Sequence, residues 1–108
     1  MVPTKSFKEF IKSRIETDPA FRQALLQEAV QTLISGDADT ARAVLRDYIN
    51  ATLGFTALAK ATGTPPKSLM RMFGPNGNPT VANLSGVLRV LQKKTGVQLE
   101  VRIARRAA

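Results

Sequence analysis

The sequence predicts an all-α protein with one short strand at its end. Through most of the chain, apolar residues recur every three or four positions, which is the spacing of one helix face. Capping residues and Gly or Pro stop signals divide this pattern into segments of helical length. Residues 97–103 differ, because apolar and polar residues alternate there as they do in a half-buried strand. We therefore expect a helical bundle followed by a C-terminal strand.

Three helices are expected in the first half. The first covers residues 4–15, and the second begins at Asp18-Pro19, an N-cap carboxylate followed by proline at the first helical position. The third is expected to be capped by the segment from Asp37 to Asp39 and to close at Gly54. The residues expected on the inward faces are Phe7, Phe10, Ile11, Ile15, Phe21, Leu25, Ala29, Val30, Leu33, Ile34, Ala41, Val44, Leu45, Tyr48, Ile49 and Leu53.

Residues 55–73 are predicted to form two short helices joined by a tight turn. Ala59 is a small residue at the expected crossing point, Gly63 tolerates positive φ at the corner, and Leu69 supplies an apolar plug. Thr64 is expected to cap the second helix, ahead of two prolines. This pattern is typical of a DNA-binding helix-turn-helix, whose second helix enters the major groove.

A turn-rich loop and a further helix come next. Thr80 is expected to cap that helix, which ends at Gly96 and directs Leu84, Val87, Leu88 and Leu91 inward. The strand that follows has no partner in its own chain, and pairing of two copies across a two-fold axis would satisfy its backbone. We expect a homodimer interface at Val97, Leu99, Val101 and Ile103. The alternative is a frayed tail whose Arg105 and Arg106 remain solvated.

The charge is distributed unevenly along the chain. The whole sequence has 16 Lys and Arg against 8 Asp and Glu, a net charge of +8. Residues 1–54 hold equal numbers of basic and acidic residues, so the entire excess lies in residues 55–108, where Glu100 is the only acid. A polyanion is a natural partner for such a half. The alternative is a basic face that serves only solubility.

The composition excludes several other functions. With no Cys and no His, the chain lacks disulfides, thiol nucleophiles, thiolate metal sites and the usual proton shuttle. We therefore expect that the protein is not an enzyme and that it has no catalytic residue, metal site or cofactor.

The first residues lack the apolar run of a signal peptide, and no stretch approaches the ~20 apolar residues that span a bilayer. A soluble cytoplasmic protein without membrane association is expected, and 6% aromatic residues are too few for a base-stacking platform.

Several motifs together resemble a known family. Residues 38–97 resemble the lambda-repressor-like, Cro/C1-type helix-turn-helix domain, and most of the chain resembles the HigA-like addiction-module antidote family. The segments that carry the resemblance are DPAF (18–21), GDADTARAVLRDYINATLGFTALAKATG (36–63), SLMRMF (68–73), GNPTVANLSGVLRVLQKKTG (77–96) and VQLEV (97–101). The chain departs from its relatives at Pro65-Pro66, where many carry polar residues. It also lacks the Gln that often opens the first motif helix.

The resemblance implies a dimeric transcriptional repressor that binds a palindromic operator in double-stranded DNA. It further implies an antitoxin that binds a small ribonuclease-type toxin and represses its own operon. We expect one domain, 1–108, in which residues 1–36 form a helical extension, 37–97 the DNA-binding core and 98–108 the dimerisation strand and basic tail. The first two helices would offer the partner surface; the alternative is that they only complete the core.

The predicted DNA-binding residues lie on and around the second motif helix. Its outward residues would be Pro66, Lys67, Ser68, Met70 and Arg71. The Arg71 fork suits guanine, Lys67 suits guanine or phosphate, and Ser68 suits either a base edge or a phosphate. Met70 would contact a thymine methyl group or simply pack. Phosphate contacts are expected from Lys60, Thr64, Asn76, Asn78 and Thr80, with capping and turn formation as the alternative.

Two other functions compete with this interpretation. One is a stand-alone phage-type repressor that has no toxin partner. The other is a protein-interaction module, in which the two short helices are scaffold and the basic half binds an acidic protein. Neighbouring genes would separate the first from the antitoxin, and salt-dependent binding without DNA preference would favour the second.

Overall fold

The computed structural model describes residues 7–107, and their regular secondary structure is entirely helical, which confirms the all-α class. None of the helices in that part of the chain is long and apolar enough to cross a membrane. The helices are α1 (Phe7–Thr17), α2 (Pro19–Ile34), α3 (Ala38–Ala51), α4 (Phe55–Thr62), α5 (Pro66–Met72) and α6 (Val81–Thr95). The predicted start of the first helix, at residues 4–6, lies outside the described residues.

Side-chain caps set the beginning of three helices, as the sequence predicts. The Asp18 carboxylate accepts a hydrogen bond from the Phe21 N–H at 3.2 Å, and the Asp37 carboxylate accepts one from the Thr40 N–H at 3.2 Å. The Thr80 hydroxyl accepts one from the Asn83 N–H at 3.1 Å. Each cap satisfies an amide that has no partner within its helix.

A salt bridge and two further arginine contacts hold the junction between α1 and α2. Arg14 lies 3.0 Å from the Asp18 carboxylate and its guanidinium stacks over the Phe21 ring, 4.6 Å from the centroid. From the next helix, Arg22 donates to the Ile15 carbonyl at 3.0 Å. These contacts fix the sharp bend at Asp18.

One hydrophobic core joins five of the helices. α3 packs against α1, α2 and α4, while α4 also packs against α5 and α6. The buried core residues are Leu26, Ala29, Leu45, Tyr48, Ile49, Phe55, Leu58, Ala59, Leu69, Phe73, Val87 and Leu91. Because Leu26 and Ala29 belong to this core, α2 helps to form it, and α1 adds the buried Ile15.

Two predicted inward positions are wrong, and one buried residue was not predicted. Leu26, absent from the predicted face of α2, is fully buried, whereas Ile34 is 66% exposed. Ile34 is the last residue of α2. Phe10 is 53% exposed, because α1 buries Ile15 on its inward side.

Residues 97–107 form neither helix nor strand in the single chain. Gly96 ends α6 with φ 71°, and the Val97 N–H donates a hydrogen bond to the Gln92 carbonyl at 3.0 Å. The Leu99 N–H donates to the Gln92 side-chain oxygen at 2.7 Å. Val97 and Leu99 pack against the core, while Val101 and Ile103 are exposed. A strand needs a neighbouring strand, so the pairing of this segment stays a prediction.

Candidate nucleic-acid interface

A left-handed turn connects α4 to α5. Gly63 has φ 74°, and its N–H donates to the Ala59 carbonyl at 2.8 Å. A Cβ at Gly63 would meet no atom within 4 Å, so the backbone conformation rather than lack of space favours glycine. The connection is residues 63–65, and α5 begins at Pro66. The sequence predicted this corner correctly.

The inner face of α5 is anchored at two points. Leu69 and Phe73 are each 1% exposed, and the Phe73 ring lies 6.4 Å from the Phe55 ring, centroid to centroid, with a tilt of 48°. On α4, Ala59 is buried at 8% exposure and Leu58 is fully buried. The two short helices therefore form a hairpin whose apolar side belongs to the core.

The outer face of α5 carries two uncommitted cations. Lys67 and Arg71 are exposed and lie four residues apart on a helix, so they share a face. Within the described residues, neither side chain makes an ion pair or a hydrogen bond. Met70 is 51% exposed beside them, while Ser68 is half-buried. This surface offers donors and positive charge without an internal acceptor.

Two arginines of α3 bind the backbone that follows α5. Arg42 donates through Nε to the Gly74 carbonyl at 2.7 Å and through a terminal nitrogen to the Pro75 carbonyl at 2.9 Å. Arg46 donates to the Phe73 carbonyl at 3.1 Å. Three consecutive carbonyls are thus held by two guanidinium groups, and we call this arrangement the arginine clamp. It fixes the end of α5 against α3.

The arginine clamp was not predicted from the sequence. Arg42 and Arg46 lie in the electrically neutral half, and their partners are 27 to 33 residues away in the chain. The one local signal is their spacing, which places both side chains on one side of α3. Nothing in that spacing identifies a backbone carbonyl as the acceptor.

The loop after α5 is tight. The Gly77 N–H donates to the Gly74 carbonyl at 3.0 Å, and a Cβ built at Gly77 would collide with the Met72 carbonyl oxygen. Gly74 also lies close to α5, with a Cβ position 3.3 Å from the Met70 carbonyl oxygen. The loop therefore folds back on the end of α5, and it carries the exposed Asn76 and Asn78.

The remaining predicted contact residues occupy different settings. Lys60 is exposed in the last turn of α4. Thr64 does not cap α5: Pro65 is the N-cap residue and has no acceptor side chain, and the half-buried Thr64 donates its N–H to the Thr62 hydroxyl at 3.4 Å. Thr80 is exposed and caps α6, so the predicted capping role is confirmed.

The shifted ionisable groups lie away from α5. The Phe21 N–H and the Arg14 side chain lower the pKa of Asp18, and the Thr40 hydroxyl and N–H lower that of Asp37. Burial raises the pKa of the Tyr48 phenol, and the Thr95 hydroxyl and Arg22 oppose that effect only in part. The described residues contain no group of three side chains that could hold a metal ion.

The chain matches no protein-family model, no curated protein and no solved structure. The features of this chain that bear on its function are the anchored hairpin of α4 and α5, the exposed Lys67 and Arg71, and the distribution of charge.

Proposed function

We propose that this protein is a sequence-specific DNA-binding transcriptional repressor. The observation that carries the proposal is α5 itself. Its inner face is fixed by Leu69 and Phe73, and its outer face presents Lys67 and Arg71 with no partner in the described chain. The half of the sequence that contains α5 also holds the whole net charge of +8.

In this proposal α4 and α5 are the two helices of a helix-turn-helix, and α5 enters the major groove. Arg71 carries a planar fork that matches the O6 and N7 acceptors of guanine. Lys67 supplies a point charge for guanine or for a phosphate. Met70, exposed between them, can contact the methyl group of thymine. Ser68 is half-buried, so we give it a smaller role in base contact than the sequence alone suggests.

Phosphate contacts would set the position of α5 in the groove. Lys60, Asn76 and Asn78 are exposed on either side of it. Thr80 can serve both roles at once, because its oxygen accepts from the Asn83 N–H while its own O–H remains free to donate. Thr64 is half-buried and its N–H already donates to the Thr62 hydroxyl, so Thr64 is given a smaller part in phosphate contact than the sequence alone suggests.

The repressor would act as a homodimer on a palindrome. A single α5 of seven residues reads few base pairs, and two copies related by a two-fold axis read half-sites ~34 Å apart. Val97, Leu99, Val101 and Ile103 are the proposed dimer interface, and the exposure of the last two supports that role.

The resemblance to the HigA-like family refines the proposal to the antitoxin of a type II toxin–antitoxin module that represses its own operon. A small toxin would then bind the N-terminal helices. Phe10, an exposed apolar residue of α1, supports a partner surface there. A stand-alone repressor would have no toxin gene beside its own, so a short basic open reading frame next door favours the antitoxin.

The decisive experiment measures DNA binding by fluorescence anisotropy. The probe is the region upstream of the protein's own gene, against a scrambled duplex of equal length, at physiological salt. Arg71→Ala is expected to weaken specific binding by about 1–3 kcal/mol, whereas Lys93→Ala, an exposed residue of α6, is the matched control. Equal affinity for both duplexes, or an Arg71→Ala variant that binds like the original, would overturn the proposal. Salt-dependent binding to an acidic protein without DNA preference would then favour the interaction module.

A further inference from the structure

The tail after α6 has a backbone that the described chain leaves unpaired. Up to Leu99 the segment is tied to Gln92, by the two hydrogen bonds at residues 97 and 99. From residue 100 to residue 107, no backbone group bonds to another described residue. In the same stretch Val101 is 79% exposed and Ile103 is 99% exposed. An apolar, alternating segment with a free edge is suited to pairing with another strand.

A groove lies beside this tail, and both of its walls contain apolar residues. The groove has a volume of about 550 Å³ and runs between α2 and residues 97–102. Its α2 wall includes Leu26, Val30 and the exposed Ile34. Val97, Leu99 and Val101 lie along the other wall, so a second apolar strand added there would cover both the tail and Ile34.

The pattern of charges in the tail is self-complementary. Two identical strands that cross a two-fold axis run antiparallel, and apolar residues face each other only if the axis passes through a residue. If the axis passes through Val101, Glu100 of each chain lies opposite Arg102 of the other. Leu99 then lies opposite Ile103, and Val101 opposite its own copy. Opposite charges and apolar pairs directly across a strand pair are both favourable.

Other positions of the axis are worse. An axis through Glu100 or through Arg102 places like charges directly opposite, which is destabilising. An axis through Leu99 sets Ile103 against Thr95, which belongs to α6 and cannot join a strand.

An axis through Ile103 brings Glu100 opposite Arg106, but it also sets Val101 against Arg105. The position at Val101 is therefore the one that satisfies both the apolar residues and the charges.

We propose that a second copy of this chain is the partner of the tail, in an antiparallel two-stranded ribbon centred on Val101. Glu100 and Arg102 select this register, and the apolar side of the ribbon covers α2 in both copies. In the single chain the Arg102 guanidinium already lies 3.7 Å from the Glu100 carboxylate, both highly exposed. The dimer replaces this contact with two contacts between chains.

This inference rests on the proposed function in one respect: a palindromic DNA site needs a dimer, and the ribbon would provide it. Its test contains no DNA, so the two can fail separately. A chain that pairs as described but ignores its upstream DNA would overturn the repressor alone. A chain that binds that DNA through α5 but does not pair in this register would overturn the ribbon alone.

Charge reversal tests the register. Glu100→Arg and Arg102→Glu each create like-charge pairs across the axis, so each should weaken dimerisation about tenfold in sedimentation equilibrium at low salt. The double variant should restore the original constant to within about twofold. The two single variants change the net charge in opposite directions, so a general charge effect would move their dimer constants apart. Such divergence, or failure of the double variant to recover, would overturn the register.

Cross-linking provides an independent test, because the chain contains no cysteine of its own. Directly opposite residues have Cβ atoms about 5 Å apart, close to the separation that a disulfide needs. Val101→Cys should therefore form a covalent dimer under mild oxidation. Ile103→Cys should not, since the two copies of residue 103 would lie about 14 Å apart. A monomer at high micromolar concentration, or faster cross-linking of Ile103→Cys, would overturn the proposal.

Discussion

Arg42 holds the Gly74 carbonyl across 32 residues of chain, with 2.7 Å between the Arg42 Nε and the Gly74 oxygen. The same side chain also contacts the Asp39 carboxylate at 3.0 Å and is only 13% exposed. A charged group buried to this degree needs its full set of acceptors. The end of α5 therefore takes its position from α3 as well as from the core.

Replacing Arg42 should loosen the loop after α5. We expect Arg42→Met to lower the free energy of unfolding by about 1.5–3 kcal/mol, because carbonyls of Gly74 and Pro75 lose charged donors. Urea denaturation measures the loss. Arg89→Met, at an exposed position of α6, is the control and should stay within about 0.5 kcal/mol. Equal effects of the two substitutions would mean that the arginine clamp adds nothing to stability.

A Cβ at Gly77 should disrupt the same loop. Gly77→Ala would drive a methyl group into the Met72 carbonyl, and we expect a loss of about 1–3 kcal/mol, as for other overpacked sites. Gly86→Ala is the matched control, since a Cβ there meets nothing within 4 Å in the middle of α6. It should stabilise by about 0.5–1 kcal/mol. Thermal unfolding of both variants distinguishes these outcomes, and a stabilised Gly77→Ala would refute the steric argument.

Thr80 should show its two roles separately. Thr80→Ala removes the cap of α6 and should cost about 1 kcal/mol in the free energy of unfolding. Thr80→Asp keeps a good cap but replaces the free hydroxyl proton with a negative charge. Its stability should match the original protein, whereas its DNA affinity should fall. Unchanged DNA affinity in Thr80→Asp would remove Thr80 from the interface and leave capping as its one role.

Salt dependence should distinguish Lys67 from Arg71. If Lys67 contacts a phosphate, Lys67→Ala weakens all duplexes alike and lowers the slope of log K against log salt by about 1. If Arg71 reads guanine, Arg71→Ala instead relaxes preference at one base pair. Both variants should unfold like the original protein, because both side chains are exposed. If Lys67→Ala instead relaxed the preference at one base pair, Lys67 would be assigned the base contact and Arg71 the phosphate contact.

Acid should remove part of the stability contributed by Asp37. Hydrogen bonds from the Thr40 hydroxyl and N–H lower the Asp37 pKa below 3.8, so its carboxylate stabilises the fold above pH 3.8. The contribution is lost as the pH falls through that lowered value. Asp37→Asn keeps the cap without a titrating group. The stability difference between the two proteins, from urea denaturation, should be constant from about pH 5 to 8 and change below 3.8.

Local signals predicted the helix boundaries well. A cap and its amide lie three residues apart, and the positive φ of Gly63 depends on the corner itself, so neither needs tertiary information. The outward placement of Lys67 and Arg71 followed for the same reason, from their spacing relative to Leu69 and Phe73.

Features that depend on contacts between distant parts of the chain could not be predicted from the sequence. Leu26 and Ile34 are both apolar residues of α2, and only the position of α3 determines which one is covered. The arginine clamp joins groups in different halves of the chain, so a count of charges by halves could not predict the contacts of Arg42 and Arg46. Thr64 failed as a cap because Pro65 intervenes and is itself the residue before the helix.

The arginine clamp links α3 directly to the end of α5. α3 packs against α1 and α2 and also holds the carbonyls at the end of α5, so a displacement of α3 is expected to move the end of α5 as well. If the protein is the repressor proposed above, a molecule that binds α1 and α2 and tilts α3 would weaken DNA binding by α5 without contacting the DNA. The surface that binds such a molecule and the surface that binds DNA would then not need to overlap.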